Sequence, residues 1–345
     1  MISVQELTRP IIIAGPCSAE SEEQVLTTAQ ELSRAGVKIF RAGIWKPRTK
    51  PGGFEGVGDE GLEWLANVKQ LTGMLVATEV ATPEHVRAAE NAGIDIFWIG
   101  ARTSADPFAM QAIAETVAQL NPDKPVFVKN PVVADLDLWI GAIERLRNCG
   151  VNNVAAIHRG FRSFSSGIYR NYPGWIVPLE LRRRMHDLPL ICDPSHIGGA
   201  RELIAPLSQK ALDMGFDGLI IESHCNPEKA LSDSKQQVTP EDLTKIIASL
   251  NLRQCSVMPG ELDRLRYDID QIDAELLEVL ARRMEVSRKI GDYKQRKRIP
   301  VLQASRYDDL LVNRIAAGSK LGLDGKFIEK IFSAIHEESV NQQLS

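Results

Sequence analysis

The chain has 345 residues, 44% of them hydrophobic and 25% charged, with a net charge of −4 at pH 7. That balance excludes a strongly basic nucleic-acid binder or a membrane-surface polycation, so any anion site must come from local placement of cations. No apolar run approaches the roughly 20 residues that a membrane span needs, and the N-terminus has neither the basic start nor the apolar core of a signal peptide. The five cysteines, at 17, 149, 192, 225 and 255, are far apart. They argue against a disulfide framework and for a reducing, cytoplasmic location.

From Ile11 to about Leu250 short apolar runs alternate with longer helical patterns. The predicted strands are Ile11–Ala14, Val37–Arg41, Leu75–Glu79, Ile94–Ile99, Val126–Lys129, Asn153–Ile157, Leu188–Cys192 and Gly218–Glu222. Helical periodicity fills Pro83–Ala92, Pro107–Leu120, Asp135–Asn148 and Glu202–Met214. Eight strands alternating with helices over about 240 residues predict an α/β fold, a (β/α)8 TIM barrel. A doubly wound sheet is the alternative, but it usually has fewer strands, and no GxGxxG follows the first strand.

Barrel enzymes carry their chemistry just after each strand. Read in order, those places hold Cys17, then Arg41 with Lys46 and Arg48, then Glu79, Arg102, Lys129, His158-Arg159, Asp193 with His196, and Glu222. The stretch Arg41–Thr49 reads either as an anion clamp, with Pro47 fixing the backbone and Thr49 adding a hydroxyl, or as a basic solvated loop. Six cations at one face, Arg41, Lys46, Arg48, Arg102, Lys129 and Arg159, would repel one another unless anions sat among them. The excess points to two anionic substrates, or to one with several anionic groups. Cys17, His196, Glu222 and Asp233 together suit a divalent transition metal of intermediate softness, although each alone reads as an ordinary core or surface group.

The pattern changes near Ser249–Gly260, where Asn251–Gly260 has no clear period and ends in Pro-Gly. The expected organisation is therefore a barrel at 1–250, a linker at 251–260 and an all-α unit at 261–345. Leu262, Leu265, Ile269, Ile272, Leu276, Leu277, Leu280, Met284 and Ile290 recur at three- and four-residue steps. They predict one amphipathic helix of about 35 residues running to near Lys297. Pro300 ends it, and two helices follow, roughly Ala304–Gly318 and Asp324–Gln343. Three helices led by one so long cannot close a compact core alone, so a homodimer through this unit is expected, within a larger homo-oligomer as an option. Arg266, Arg283 and Lys294 are spaced by 17 and 11 residues, which returns all three to nearly one helix face. That stripe is either a solvated basic face or an anion site in the dimer.

Eight motifs occur in the order seen in 3-deoxy-D-arabino-heptulosonate 7-phosphate (DAHP) synthase. They are Gly15-Pro-Cys-Ser18, Lys46-Pro-Arg-Thr49, Gly100-Ala-Arg-Thr103, Val128-Lys-Asn130, His158-Arg-Gly160, Asp193-Pro-Ser-His196, Ile221-Glu222 and Ala230-Leu-Ser-Asp233. Residues 8–250 most resemble the compact bacterial type of that family. The resemblance implies condensation of phosphoenolpyruvate with erythrose 4-phosphate and release of phosphate. By motif it implies Cys17, His196, Glu222 and Asp233 as ligands of a divalent metal, Mn2+ first, with Fe2+, Co2+ or Zn2+ as alternatives. It implies Arg41, Lys46, Ala101, Arg102, Lys129 and Arg159 around phosphoenolpyruvate, and Lys46, Pro47, Arg48 and Thr49 around erythrose 4-phosphate. Lys129 and Lys46 become candidate catalytic groups, with Lys129 as proton donor. Glu79 either orients water or balances the cations. The related 3-deoxy-octulosonate 8-phosphate synthase usually carries Lys-Ala-Asn-Arg-Thr-Ser where this chain has Lys46-Pro-Arg-Thr49.

Residues 261–345 resemble the all-helical chorismate mutase through Leu265-Arg266, Ala281-Arg-Arg283, Lys294, Arg306 and Glu338–Gln343. The resemblance implies an interlocked dimer that rearranges chorismate to prephenate. Arg266 of one subunit would join Arg283, Lys294, Arg306, Tyr307, Ser339 and Gln343 of the other, with Lys294 and Gln343 at the ether oxygen that gains charge. Gln303 and Tyr307 depart from the family, which often has an acidic residue before the Arg306 position and a hydroxyl-binding Glu after it. That departure leaves a second option, a domain that only senses chorismate or prephenate. A fused early and later pathway enzyme also implies feedback by prephenate.

Overall fold

The computed structural model describes residues 3–46, 52–163, 167–252, 261–301 and 304–344. Pro47, Arg48, Thr49 and Gln303, and the side chain of Arg306, lie outside what is described. The chain divides into two compact units, Met1–Arg253 and Gln254–Ser345.

In the first unit eight strands pair in chain order, all parallel: β1 (Ile11–Gly15), β2 (Ile39–Arg41), β3 (Leu75–Val80), β4 (Ile96–Ile99), β5 (Val126–Lys129), β6 (Val154–His158), β7 (Leu190–Cys192) and β8 (Gly218–Glu222). β8 returns to β1, with Ile11 opposite Gly218 and Gly15 opposite Glu222, which closes the barrel. Around it run α1 (Glu22–Arg34), α2 (Glu60–Thr72), α3 (Pro83–Asn91), α4 (Pro107–Leu120), α5 (Leu136–Asn148), α6 (Ile176–Arg184), the short α7 (Pro194–Gly198), α8 (Ile204–Asp213) and α9 (Pro240–Ser249).

The strands read as unbroken apolar runs because both faces are buried. One face, with Ile11, Ile13, Ile39, Ile96, Trp98, Phe127, Ile157, Ile191 and Ile220, fills the interior, and Val4 packs against it. The other, with Ala14, Phe40, Val76, Phe97, Val128 and Leu219, meets the helices. Helix starts are written locally. Thr82, Asp106, Asp193 and Thr239 each precede a proline, and each side chain accepts a hydrogen bond from the first-turn backbone. Cap and proline at the first helical position are the standard device for beginning a helix. Gly15 has φ +152°, and a Cβ there would lie 2.0 Å from Arg41 O, so only glycine lets β1 approach β2 at their C-terminal ends.

The second unit holds α10 (Glu261–Lys297, 37 residues), α11 (Ala304–Lys320) and α12 (Gly325–Leu344). α12 packs on both others. Ile328 is the only large apolar side chain buried among the described residues of this unit. Leu265, Ile269, Ile272, Leu276 and Leu277 on α10 are all more than half exposed in the single chain. Among the described residues no helix is long and apolar enough to cross a membrane.

Candidate active sites

At the C-terminal end of the barrel a cavity of about 110 Å³ is lined by Cys17, Lys46, Glu79, Ala101, Arg102, Lys129, Arg159, His196 and Asp233, all singled out in the sequence, and by Arg170, which was not. Ligand-type atoms of Cys17, Glu222 and Asp233 lie within 4.8 Å of one another. Cys17 Sγ is 3.5 Å from Asp233 Oδ2. His196 Nε2 is 3.7 Å from Glu222 Oε1 and 3.9 Å from Asp233 Oδ2.

Each of these groups is aimed by local structure. Asp193 caps α7 by accepting from His196 N at 3.0 Å, and its other oxygen lies 2.8 Å from His196 Nδ1. The same oxygen accepts from Lys129 Nζ at 2.9 Å. Asp193 Oδ2 thus sits between His196 Nδ1 and Lys129 Nζ, while the ring's Nε2 faces the carboxylates of Glu222 and Asp233. Gln237 Oε1 accepts from Cys17 N at 2.9 Å and fixes the thiol's backbone. Trp98 Nε1 donates to Glu79 Oε2 at 3.1 Å. A Cβ on Gly100 would sit 2.1 Å from Glu79 Oε1, so that carboxylate needs the glycine beside it.

The charges are set by burial and by one another. Burial, and next Glu222, push the Cys17 thiol up to about 12. Burial also works against ionising Asp233, but His196, Arg170 and Lys46 outweigh it and hold the carboxyl at about 2. Burial opposes Glu222 too, and His196 and Arg41 keep it below the usual range. His196 is lowered by burial. A buried thiol, an imidazole and two carboxylates fit a divalent transition metal, whose charge would favour the thiolate against burial.

Arg41 takes a place the sequence does not foretell. It is only 1% exposed, with Nη1 3.1 Å from Glu222 Oε1, Nη2 3.1 Å from Cys17 O and its guanidinium 4.7 Å above the Trp98 ring. It lies outside the cavity wall, beneath Glu222. His158 also leaves the mouth. Its ring packs among Trp139, Phe161, Trp175 and Phe216. Burial lowers it to about 3, so it is a neutral packing group. Arg159, next in sequence, does reach the cavity and donates to Asn171 Oδ1 at 3.0 Å. Arg170 Nη1 meets Asp233 Oδ1 at 2.9 Å. Arg170 lies twelve residues beyond β6, where strand-end reading has no purchase. Gln236 and Gln237 follow Asp233 closely, and that spacing was the available signal.

In the helical unit Arg283 Nη1 hydrogen-bonds Ser339 Oγ, and Lys294 Nζ donates to Gln343 Oε1 at 3.0 Å. These four predicted groups therefore pair two by two between α10 and α12. Tyr307 stacks on His336 with ring centres 4.2 Å apart, and its hydroxyl is 3.0 Å from Ser333 Oγ. Arg266 is 17 residues from Arg283 on the same helix, about 25 Å along its axis. It pairs with Asp263 at 3.3 Å and cannot reach the other four within one chain.

Comparison with known proteins matches each unit to a family. The family model described as "DAHP synthetase I family" matches residues 5–254, and that described as "Chorismate mutase type II" matches residues 265–344. A phospho-2-dehydro-3-deoxyheptonate aldolase of Thermotoga maritima is 38% identical over 240 residues, 69% of this chain and 68% of that protein. A 2-dehydro-3-deoxyphosphooctonate aldolase of Geobacter sp. is 30% identical over 70% of this chain and 91% of that protein. The crystal structure of the Thermotoga DAHP synthase aligns with TM-score 0.62 at 35% identity, covering 69% of this chain and 66% of that one. A truncated form of the Thermotoga enzyme aligns with TM-score 0.62 at 31% identity, covering 72% of this chain and 88% of that one. The chain belongs to the DAHP synthetase I family, with a DAHP synthase barrel followed by a chorismate mutase domain.

Proposed function

We propose that the barrel condenses phosphoenolpyruvate with erythrose 4-phosphate at the cavity that joins Cys17, His196, Glu222 and Asp233 to Lys46, Arg102, Lys129, Arg159 and Arg170. The observation that carries this reading is the meeting of a metal-type donor set with five cations at one cavity. Cys17, His196, Glu222 and Asp233 would hold a divalent ion, Mn2+ first, which when bound supplies Lewis-acid polarisation of the aldehyde oxygen. Arg102, Lys129 and Arg159 hold the phosphate and carboxylate of phosphoenolpyruvate, while Arg48 and Thr49 take the aldose phosphate. Arg41 acts from below by fixing Glu222. C3 of the enolpyruvate bonds to the aldehyde carbon, whose oxygen takes a proton, and Lys46 and Lys129 are the ammonium donors on the wall. Water adds at C2, with Glu79 as the group that orients it, and the phosphate leaves. Phosphate release with erythrose 4-phosphate, abolished by chelator, is the expected result. Release with arabinose 5-phosphate alone would overturn the reading in favour of an octulosonate synthase.

The helical unit rearranges chorismate to prephenate in a homodimer. Arg283, Lys294, Ser339 and Gln343 come from one chain and Arg266 from the other, and the family motif adds Arg306. No nucleophile is needed, because the cations hold the reactive conformer and stabilise the charge gained by the ether oxygen. The exposed apolar face of α10 and the distance to Arg266 support a second copy as partner. One observation favours a sensor role beside catalysis: the Tyr307 hydroxyl, where the family often has a hydroxyl-binding Glu, is already engaged by Ser333. Prephenate then acts as feedback ligand for the barrel. Chorismate consumption by the purified chain tests the mutase, and synthase rate at saturating prephenate tests the feedback.

A further inference from the structure

We infer that Arg170 and Gln236 form a clamp that sets how the two carboxylates of the barrel site face a metal ion, which makes both of them positioning residues for the condensation. The inference rests on the metal reading above. Arg170 Nη1 meets Asp233 Oδ1 at 2.9 Å and also donates to Gln236 Oε1 at 2.6 Å. The amide of the same Gln236 donates through Nε2 to Glu222 Oε2 at 2.6 Å. One oxygen of each carboxylate is thereby tied back to the clamp. The other oxygen of each, Glu222 Oε1 and Asp233 Oδ2, is the one that faces His196 Nε2, at 3.7 and 3.9 Å.

Two further features show that the arrangement is built. Asp233 has φ +51°, a backbone conformation unfavourable for a residue with a Cβ, which persists where surrounding contacts impose it. Gln236 is 1% exposed, so its amide is spent entirely inside the protein, on Arg170 and Glu222. The glutamine can serve both partners only in one orientation, carbonyl toward Arg170 and amide toward Glu222. That orientation carries the position of one carboxylate to the other. The neighbouring Gln237 completes the frame by holding Cys17 N and donating to Ser232 O at 2.8 Å. Clamp and frame come from the loop after β8 and the long connection after β6, and neither carries a metal donor on Arg170 or Gln236 themselves.

The test measures Mn2+ affinity of the metal-free full chain by competition with a chelator, without reference to turnover. Arg170→Met and Gln236→Met should each weaken binding about 10- to 100-fold, the usual effect of losing a supporting residue. The double variant should lose little more than the worse single one, because the two act as a unit. Arg170→Lys, which keeps the charge but has a shorter reach, should recover part of the loss. The thiolate charge-transfer band of the Co2+ form should shift in both single variants, which a purely structural role would not cause. Gln236→Met alters no charge and carries the same test should Arg170→Met fail to fold. Affinities within about twofold of the unaltered chain, with Cys17→Ser losing binding, would overturn the clamp alone. If Cys17→Ser also binds normally, the metal reading falls and the clamp with it.

Discussion

The barrel and the helical unit solve the same problem, holding anions in a fixed geometry, by opposite means. In the barrel the described donors and cations around the cavity all come from one chain. Three of its donors have a buried support, Asp193 behind His196, Gln237 behind Cys17 and Arg41 behind Glu222. Beneath it lies a packed interior of Ile, Phe and Trp side chains. In the helical unit Arg283, Lys294, Ser339 and Gln343 meet across two helices, but only one large apolar side chain is buried among the described residues. Arg266 is stranded about 25 Å away along α10. A site made of one chain's own core depends on that chain alone. A site assembled on an uncovered helix face should depend on concentration as well.

The sharpest way to break this contrast is at the donors themselves. Cys17→Ser or His196→Ala should lower synthase activity by well over the roughly 100-fold that a supporting residue commands, with chorismate turnover unchanged. A parallel loss of both activities would mean that the two units are not separable. In the other direction, Lys294→Ala should cost the mutase about 100- to 1,000-fold, the typical effect of deleting one donor at a developing anion, while phosphate release continues. Replacing Ile272 and Leu276 with Asp should dissociate the proposed dimer in sedimentation. Mutase activity should fall at least about tenfold in that variant, since Arg266 then cannot join the other four. Unchanged mutase activity in a verified monomer would remove the shared-site reading.

What the sequence made legible follows the same division. All eight strands were readable because a strand buried on both faces is a short apolar run with abrupt ends. Val126–Lys129 and Gly218–Glu222 end in the residues expected, and the shorter β2 and β4 begin two residues later because Val37-Lys38 and Ile94-Asp95 lead into the strands as loops. Cys17, Lys129, His196 and Glu222 were found because topology puts strand ends together whatever the loops do. Arg170, Gln236 and Gln237 were not, because they reach the cavity from long connections whose path is decided by tertiary contacts. The direction of a side chain at a strand end was equally hidden. Arg41 and His158 sit at the expected positions, yet one turns under the metal-type cluster and the other turns into the helix layer. The helical periodicity of α10 was plain, but whether its apolar stripe meets its own chain or another is not a property of local sequence.

His158 gives the smallest expected effect and separates the two units by pH. Burial among aromatic rings lowers it to about 3, against an ordinary value near 6.5 once unfolded. Between those values the unfolded chain binds the proton and the folded chain does not, so stability rises with pH and is lost as pH falls from 6.5 toward 3. From pH 7 to pH 5 the loss from this one group is about 2 kcal/mol. The helical unit has His336 instead, which is only partly buried and lowered by that burial and by Arg283 and Lys294. All five tryptophans, at 45, 64, 98, 139 and 175, belong to the barrel unit, so their fluorescence follows its unfolding alone. Denaturant unfolding read by that signal should be markedly easier at pH 5 than at pH 7. In His158→Phe, which keeps an aromatic ring in the cluster and cannot take a proton, most of that difference should vanish. An equal acid sensitivity in the variant would assign the effect to His85 and His196 instead, whose imidazoles burial also lowers. The carboxylates of Asp193 and Glu222, held ionised in the fold, lose their support only at lower pH, once acid reaches the ordinary carboxylate range, and so stay silent between pH 7 and pH 5.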